Sequence, residues 1–237
     1  MKRIISFLIV SCFLTLTCSS AWADIILDGT WGDVGGYLSS DDPQNLVATD
    51  YRTVGEIDNS PVSGSLSYDL LNNDTIDDTF AGTEVGLWYA NGYVVLPDPL
   101  RTIETGADGT AFFMVNSEQF SLDWDFQKGG TSPYDFGYGW INLSNWSDGT
   151  NLLYEYFSPD EPGGWSGTET FTLDPIDLYR LDWHLEIDIT GAGWGTSDVW
   201  AQLNIGVPTV VPAPAAVILC ILGLGTAGIK LRKKTKQ

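Results

Sequence analysis

His184 is the only histidine in the chain, and the stretch from Asp24 to Val207 contains no cysteine. Thiol nucleophiles and cysteine-ligated zinc are therefore excluded from that stretch. Any histidine-dependent triad would have to use His184, and no G-x-S-x-G elbow accompanies it. Asp182 and Glu186 flank His184 at i ± 2. In a strand that spacing puts all three side chains on one face, where the carboxylates favour an imidazolium. Paired carboxylates suggest a second chemistry, because glycosidases need an acid and a base or nucleophile at a set separation. Asp123/Asp125 and Glu186/Asp188 have the i, i+2 spacing that a strand converts into a same-face pair. A carbohydrate-active enzyme using these outward carboxylates is the alternative reading. The leading expectation is a body without catalysis, because charged alternating faces are ordinarily solvated.

Oxygen ligands cluster once, at Asn72, Asn73, Asp74, Asp77 and Asp78. Calcium takes six to eight such oxygens. The spacing does not match D-x-[DN]-x-[DN]-G, so no EF-hand is expected. The expectation is no cofactor, with Asn72, Asp74, Asp77 and Asp78 as the candidate calcium ligands.

Ten Trp, ten Tyr and ten Phe set this chain apart from disordered acidic proteins, which are poor in aromatics. Trp and Tyr also stack on sugar rings. Trp31, Tyr37, Trp140, Trp146, Trp165, Trp194 and Trp200 lie near Gly-rich turns, and Tyr154 and Tyr156 share one face of a strand. Trp146 and Trp165 are the candidate carbohydrate contacts. Most of the other aromatics are expected to fill the core.

These residues need strands to position them. Phe120, Leu122, Trp124 and Phe126 alternate with polar residues, as do Leu181, Trp183, Leu185, Ile187 and Ile189. Turn residues recur about every ten positions and helical signals are almost absent. The pattern predicts an all-β fold, an antiparallel, jelly-roll-like sandwich with one wet face per sheet. Three hairpins are expected. The first turns at Asn91-Gly92, the second at Gly106-Ala107-Asp108-Gly109 and the third at Ser147-Asp148-Gly149.

The ends differ from the body. Lys2 and Arg3 precede an apolar run from Ile4 to Thr17, and Ala21-Trp22-Ala23 fits an A-x-A cleavage site. Residues 1–23 thus have the pattern of a signal peptide. Residues 24–206 form the body and 207–214 a Pro-rich linker. Residues 215–237 are an expected transmembrane helix with a basic tail. All 31 acidic residues lie in the body against four basic ones (Arg52, Arg101, Lys128 and Arg180), a formal charge near −27. Such a field repels nucleic acid and anionic surfaces. The five tail cations keep the tail cytoplasmic by the positive-inside rule, so the body faces out.

Val211-Pro212-Ala213-Pro214, the Gly-containing apolar run and the cluster Lys230, Arg232, Lys233 and Lys234 resemble the PEP-CTERM sorting signal. The resemblance covers about the last 27 residues. Ala213 stands where the usual motif has Glu, which is closer to the VPLPA-type variants. The resemblance implies recognition by an exosortase-like enzyme, a transient stay in the inner membrane, and delivery to the cell surface or beyond. It also implies association with exopolysaccharide or biofilm matrix.

Overall fold

The computed structural model describes residues 25–40, 48–68, 79–96, 101–130, 136–157, 164–190, 197–206 and 209–210. Among these the regular structure is all strand. In chain order the strands are β1 (Ile25–Ser40), β2 (Ala48–Gly55), β3 (Val62–Tyr68), β4 (Thr79–Gly86), β5 (Tyr89–Leu96), β6 (Arg101–Val115) and β7 (Gln119–Gly130). They continue with β8 (Phe136–Asn145), β9 (Thr150–Phe157), β10 (Trp165–Thr172), β11 (Tyr179–Thr190), β12 (Ser197–Ile205) and β13 (Thr209–Val210). Two antiparallel sheets result, one six-stranded in the order β2-β1-β6-β11-β8-β9, the other seven-stranded in the order β10-β7-β12-β5-β4-β3 with β13 beside β7. From β5 to β12 the chain changes sheet at every connection except the β8–β9 hairpin. That is the winding expected of a jelly roll. β1 to β4 widen both sheets at one side.

The inward positions of both sheets meet in one core. Phe113, Phe120, Phe126, Phe157, Tyr179 and Trp183 are its largest fully buried side chains. Burying each such side chain contributes about 1.5–3 kcal/mol before entropy is counted. The alternation expected in β7 and β11 is present, with Phe120, Leu122, Trp124 and Phe126 inside on one strand and Leu181 to Ile189 inside on the other. One polar cluster bridges the sheets within this core. Tyr51 Oη hydrogen-bonds to Thr83 Oγ1 at 2.8 Å and also to Thr105, and Thr83 Oγ1 donates to the Gly106 carbonyl at 3.2 Å. Its members satisfy one another, as buried polar groups must.

Two of the three expected turns are strand interior instead. The β4–β5 hairpin turns at Leu87-Trp88, and Asn91-Gly92 lies within β5. Gly92 faces inward, where a Cβ would come within 2.9 Å of Ile187 Cδ1 on the opposite sheet. It is there for close sheet-to-sheet approach. Trp88 takes the turn in its place with φ 72°, a conformation costing about 1–2 kcal/mol for an L-residue. Packing offsets that cost: the Trp88 ring lies 5.9 Å from Trp183, and its carbonyl accepts the Ile205 N–H at 2.8 Å. The second expected hairpin is also a single strand, because β6 runs unbroken through Gly106–Gly109 between β1 and β11. Gly109 faces the core, and the Trp183 indole lies 2.0–2.3 Å from where a Cβ would stand. The β8–β9 hairpin turns where expected, with Gly149 at φ 78°.

Past β12, the Gly206 N–H donates to the Asp123 carbonyl at 2.9 Å. Thr209 and Val210 then pair with Ser121 and Phe120 of β7. Backbone pairing with the sandwich therefore reaches into the stretch expected as linker.

Candidate functional site on the outer sheet faces

The outer face of the six-stranded sheet collects charge around His184. Register places Asp33, Asp108, His184, Trp140 and Tyr156 side by side across β1, β6, β11, β8 and β9. Trp140 stacks on the imidazole at 5.5 Å and 15°, and Tyr138 lies 5.7 Å from it. The ring is only 14% exposed. Its Nδ1 is 2.7 Å from Asp108 Oδ1 and its Nε2 is 3.3 Å from Glu186 Oε2. Burial alone would lower the histidine pKa, but the hydrogen bonds to Asp108 and Glu186 outweigh it and push it up to about 9. At neutral pH both ring nitrogens therefore carry protons and donate, leaving no lone pair for a general base. The hydrogen bond from His184 likewise holds Glu186 below the usual carboxylate range, against its burial and with help from Tyr138. A glycosidase acid needs the opposite shift. The other cations of this face are also spoken for. Arg52 Nε donates to both Asp33 oxygens at 3.1 Å. Arg180 Nε donates to Asp182 at 2.8 Å while its guanidinium lies over Trp146 at 5.2 Å.

The outer face of the seven-stranded sheet is different in kind. Register aligns Ser65, Gly82, Tyr93, Trp200 and Gly129 in one row across β3, β4, β5, β12 and β7. The adjacent row is Ser63, Glu84, Asn91, Gln202 and Gln127. One row therefore carries two aromatic residues, Tyr93 and Trp200, between glycines, and its neighbour carries mostly amides and hydroxyls. The Trp200 indole lies over Gly129, where a Cβ would meet its Cε2, Cζ2 and Nε1 at 2.9 Å. One indole face thus rests on backbone while the side chain stays 39% exposed. The Phe80 ring lies beside Gly82 in the same way, 3.0 Å from where a Cβ would stand, and 6.2 Å from the Tyr93 ring. Phe80, Tyr93, Ser63, Ser65, Glu84 and Asn91 border a depression of about 450 Å³. Glu84 accepts the Tyr89 hydroxyl at 2.8 Å, and burial with this bond pushes the Tyr89 pKa up to about 12. Gln202 donates to Asn204 at 3.1 Å and Gln127 to Asp125 at 2.7 Å, which fixes the orientation of both amides. Lys128, between Gln127 and Gly129, turns the other way, towards Gly137.

The residues singled out from sequence are dispersed by the fold. Asp123 and Asp125 lie on β7 and Glu186 and Asp188 on β11, so the two carboxylate pairs belong to opposite sheets. Trp146 follows β8 on the six-stranded side, with its ring engaged by Arg180 and, edge-on at 5.4 Å, by Phe112. Trp165 opens β10 and packs on Phe126 at 5.5 Å, against the core. Trp146 and Trp165 thus form no joint surface. Asn72, Asp74, Asp77 and Asp78 lie outside the described residues, as do residues 1–23, expected as a signal peptide, Trp194, Val211 to Pro214 and the cluster Lys230 to Lys234. Among the described residues no three His, Asp or Glu side chains converge as a metal site. Phe80 and Tyr93 were not singled out. The signal that would have found Tyr93 is the run of small residues Ala90, Gly92 and Val94, which face the core and so turn Asn91 and Tyr93 outward.

No protein-family model and no curated protein sequence matches the chain. Solved structures with some likeness include the enzymatically active domain of tailspike protein 4 of bacteriophage CBA120 (10% identity over 62% of this chain and 19% of that one, TM-score 0.28). TmCBM61 in complex with β-1,4-galactotriose is another (6% identity, 72% and 87%, TM-score 0.28). The adhesin domain of Epf from Streptococcus pyogenes is a third (11% identity, 78% and 64%, TM-score 0.28). Likenesses of this size carry no conclusion about ligand or activity.

Proposed function

We propose that this chain is an exported, non-catalytic surface or matrix protein whose sandwich holds polysaccharide on the outer face of the seven-stranded sheet. The observation that carries the binding reading is the Trp200 indole lying over Gly129 while the side chain stays 39% exposed, in register with Tyr93. A pyranose ring offers a face of C–H groups that packs on such a surface, and the neighbouring amides supply hydrogen bonds to its hydroxyls. The paired, ionised state of His184 and Glu186 argues against acid–base catalysis on the other face. The delivery half of the proposal rests on the two ends of the sequence: a signal peptide over 1–23, a sorting motif at Val211 to Pro214, and an apolar segment closed by Lys230, Arg232, Lys233 and Lys234. An exosortase-like enzyme is the partner these imply, with transient residence in the inner membrane.

Two measurements test the two halves. Pull-down of the chain by the producing cell's matrix polysaccharide is expected, with loss on combining Trp200→Ala and Tyr93→Ala. Release of reducing ends from that polysaccharide would overturn the non-catalytic reading. Cell fractionation with and without the exosortase-like enzyme is expected to show the chain retained in the membrane in its absence. Identical fractions in both strains would remove the sorting claim.

A further inference from the structure

Resting on the binding reading above, we infer that the ligand is an uncharged glycan lying across the strands, along the row from Gly82 through Tyr93 and Trp200 to Gly129. Three features point to this class. First, the stacking row and the amide row run parallel and perpendicular to the strands, about 14 Å from β4 to β7 at the usual spacing of neighbouring strands. A chain laid along them meets Tyr93 and Trp200 on one side and Asn91, Gln202 and Gln127 on the other. A chain laid along β4 or β12 would meet one ring, Phe80 or Trp200, and along β5 the second ring, Tyr89, is tied by its hydroxyl to Glu84. Second, neither row contains a cation to pair with a uronate or sulfate. The nearest in sequence, Lys128, is turned away. Third, the body bears 31 carboxylates against four cations, and two of those four, Arg52 and Arg180, are bound to carboxylates on the other sheet. An anionic polymer is therefore repelled both locally and at long range, by a force that salt weakens. A single carboxylate, Glu84, borders the depression and is hydrogen-bonded to Tyr89. Asp125 also touches the amide row by accepting from Gln127, and with both carboxylates engaged by neighbours the rows hold no cluster of negative charge to favour a polycation.

The test is affinity electrophoresis of the full chain, kept in solution by a detergent without a sugar headgroup. The embedded polymers are matched in backbone: hydroxyethylcellulose against carboxymethylcellulose, dextran against dextran sulfate, galactan against polygalacturonate, with chitosan as the polycation. The expected result is retardation by at least one neutral polymer. Its anionic counterpart should retard at least fivefold less at low salt, with the gap narrowing at high salt. Trp200→Ala should weaken retention at least tenfold and Asn91→Ala about threefold, both with unchanged melting temperature, while Trp146→Ala has no effect. Equal or stronger retardation by the anionic partner, abolished by Trp200→Ala, would overturn the uncharged class and leave the binding reading standing. Stronger retardation by chitosan than by any neutral polymer, lost in Trp200→Ala, would do the same. Retardation by no polymer would bring down the binding reading itself.

Discussion

The two outer faces of one sandwich solve the same problem, a wet sheet surface, in opposite ways. On the six-stranded sheet, charge is spent inside the face. His184, Arg52 and Arg180 are each hydrogen-bonded to carboxylates, and aromatic rings close over the imidazole. On the seven-stranded sheet the central rows are nearly uncharged, and the Trp200 indole lies over the Gly129 backbone. In the first arrangement the charged groups serve one another, although Asn142 Oδ1 nearby is buried without a hydrogen-bond partner. The second leaves the Tyr93 and Trp200 rings partly exposed, beside the Gln202 and Gln127 amides, each tied to one neighbour. Exposure of an aromatic residue is thus a weaker guide to binding than what lies beneath it.

The largest effect expected from breaking this contrast is at His184. His184→Ala leaves Asp108 and Glu186 facing each other without their shared cation. Urea denaturation should show a loss of about 2–4 kcal/mol, the lower part applying because Asp108 is well exposed. Glycan retention should not change. The same group sets a pH dependence. A histidine raised from 6.5 to about 9 stabilises fully below 6.5, and the stabilisation disappears as pH rises through about 9. Wild type should therefore lose roughly 2–3 kcal/mol between pH 6 and pH 10, a slope absent from His184→Ala. On the acid side the depressed Glu186 gives the opposite limb, with stability lost as pH falls through its lowered value. Smaller effects belong to the other face. Trp200→Ala should cost about 1.4 kcal/mol of binding, a tenfold change, with little loss of folding stability. Smallest and sharpest is Gly129→Ala. The added methyl meets the indole at 2.9 Å and must lift or tilt it. Binding should fall about threefold by calorimetry with the best neutral polymer, while Tyr93→Phe, which keeps the ring, stays within twofold.

Much of the fold was legible because its strands bury one face. The alternations in Phe120–Phe126 and Leu181–Ile189 gave two strands with their inward residues correct. The turns were harder. Asn91-Gly92 and Gly106–Gly109 look like turns because glycine and short polar residues favour them. In the fold Gly92 and Gly109 answer to neighbours from distant parts of the chain, Ile187 and Trp183. No local pattern contains that information. The same holds for the candidate site. Trp200 was recognisable as an aromatic near glycines, but the glycine that supports it, Gly129, lies on another strand. Sequence reasoning singles out Trp146 and Trp165 ahead of Trp200, and the fold occupies their rings with Arg180 and Phe126.

The continuation of β12 into β13 has a mechanical meaning. Any load applied to the chain beyond Val210 enters first through β13, held to β7, and then through β12, the strand that bears Trp200. β12 lies between β5 and β7 and shares a ladder with each. A pull along its axis is resisted by both ladders in shear, with many hydrogen bonds strained together and none opened singly. A body held by a ligand at Trp200 and by a tether past Val210 thus carries tension along a single doubly flanked strand and leaves the charged face out of the line of force.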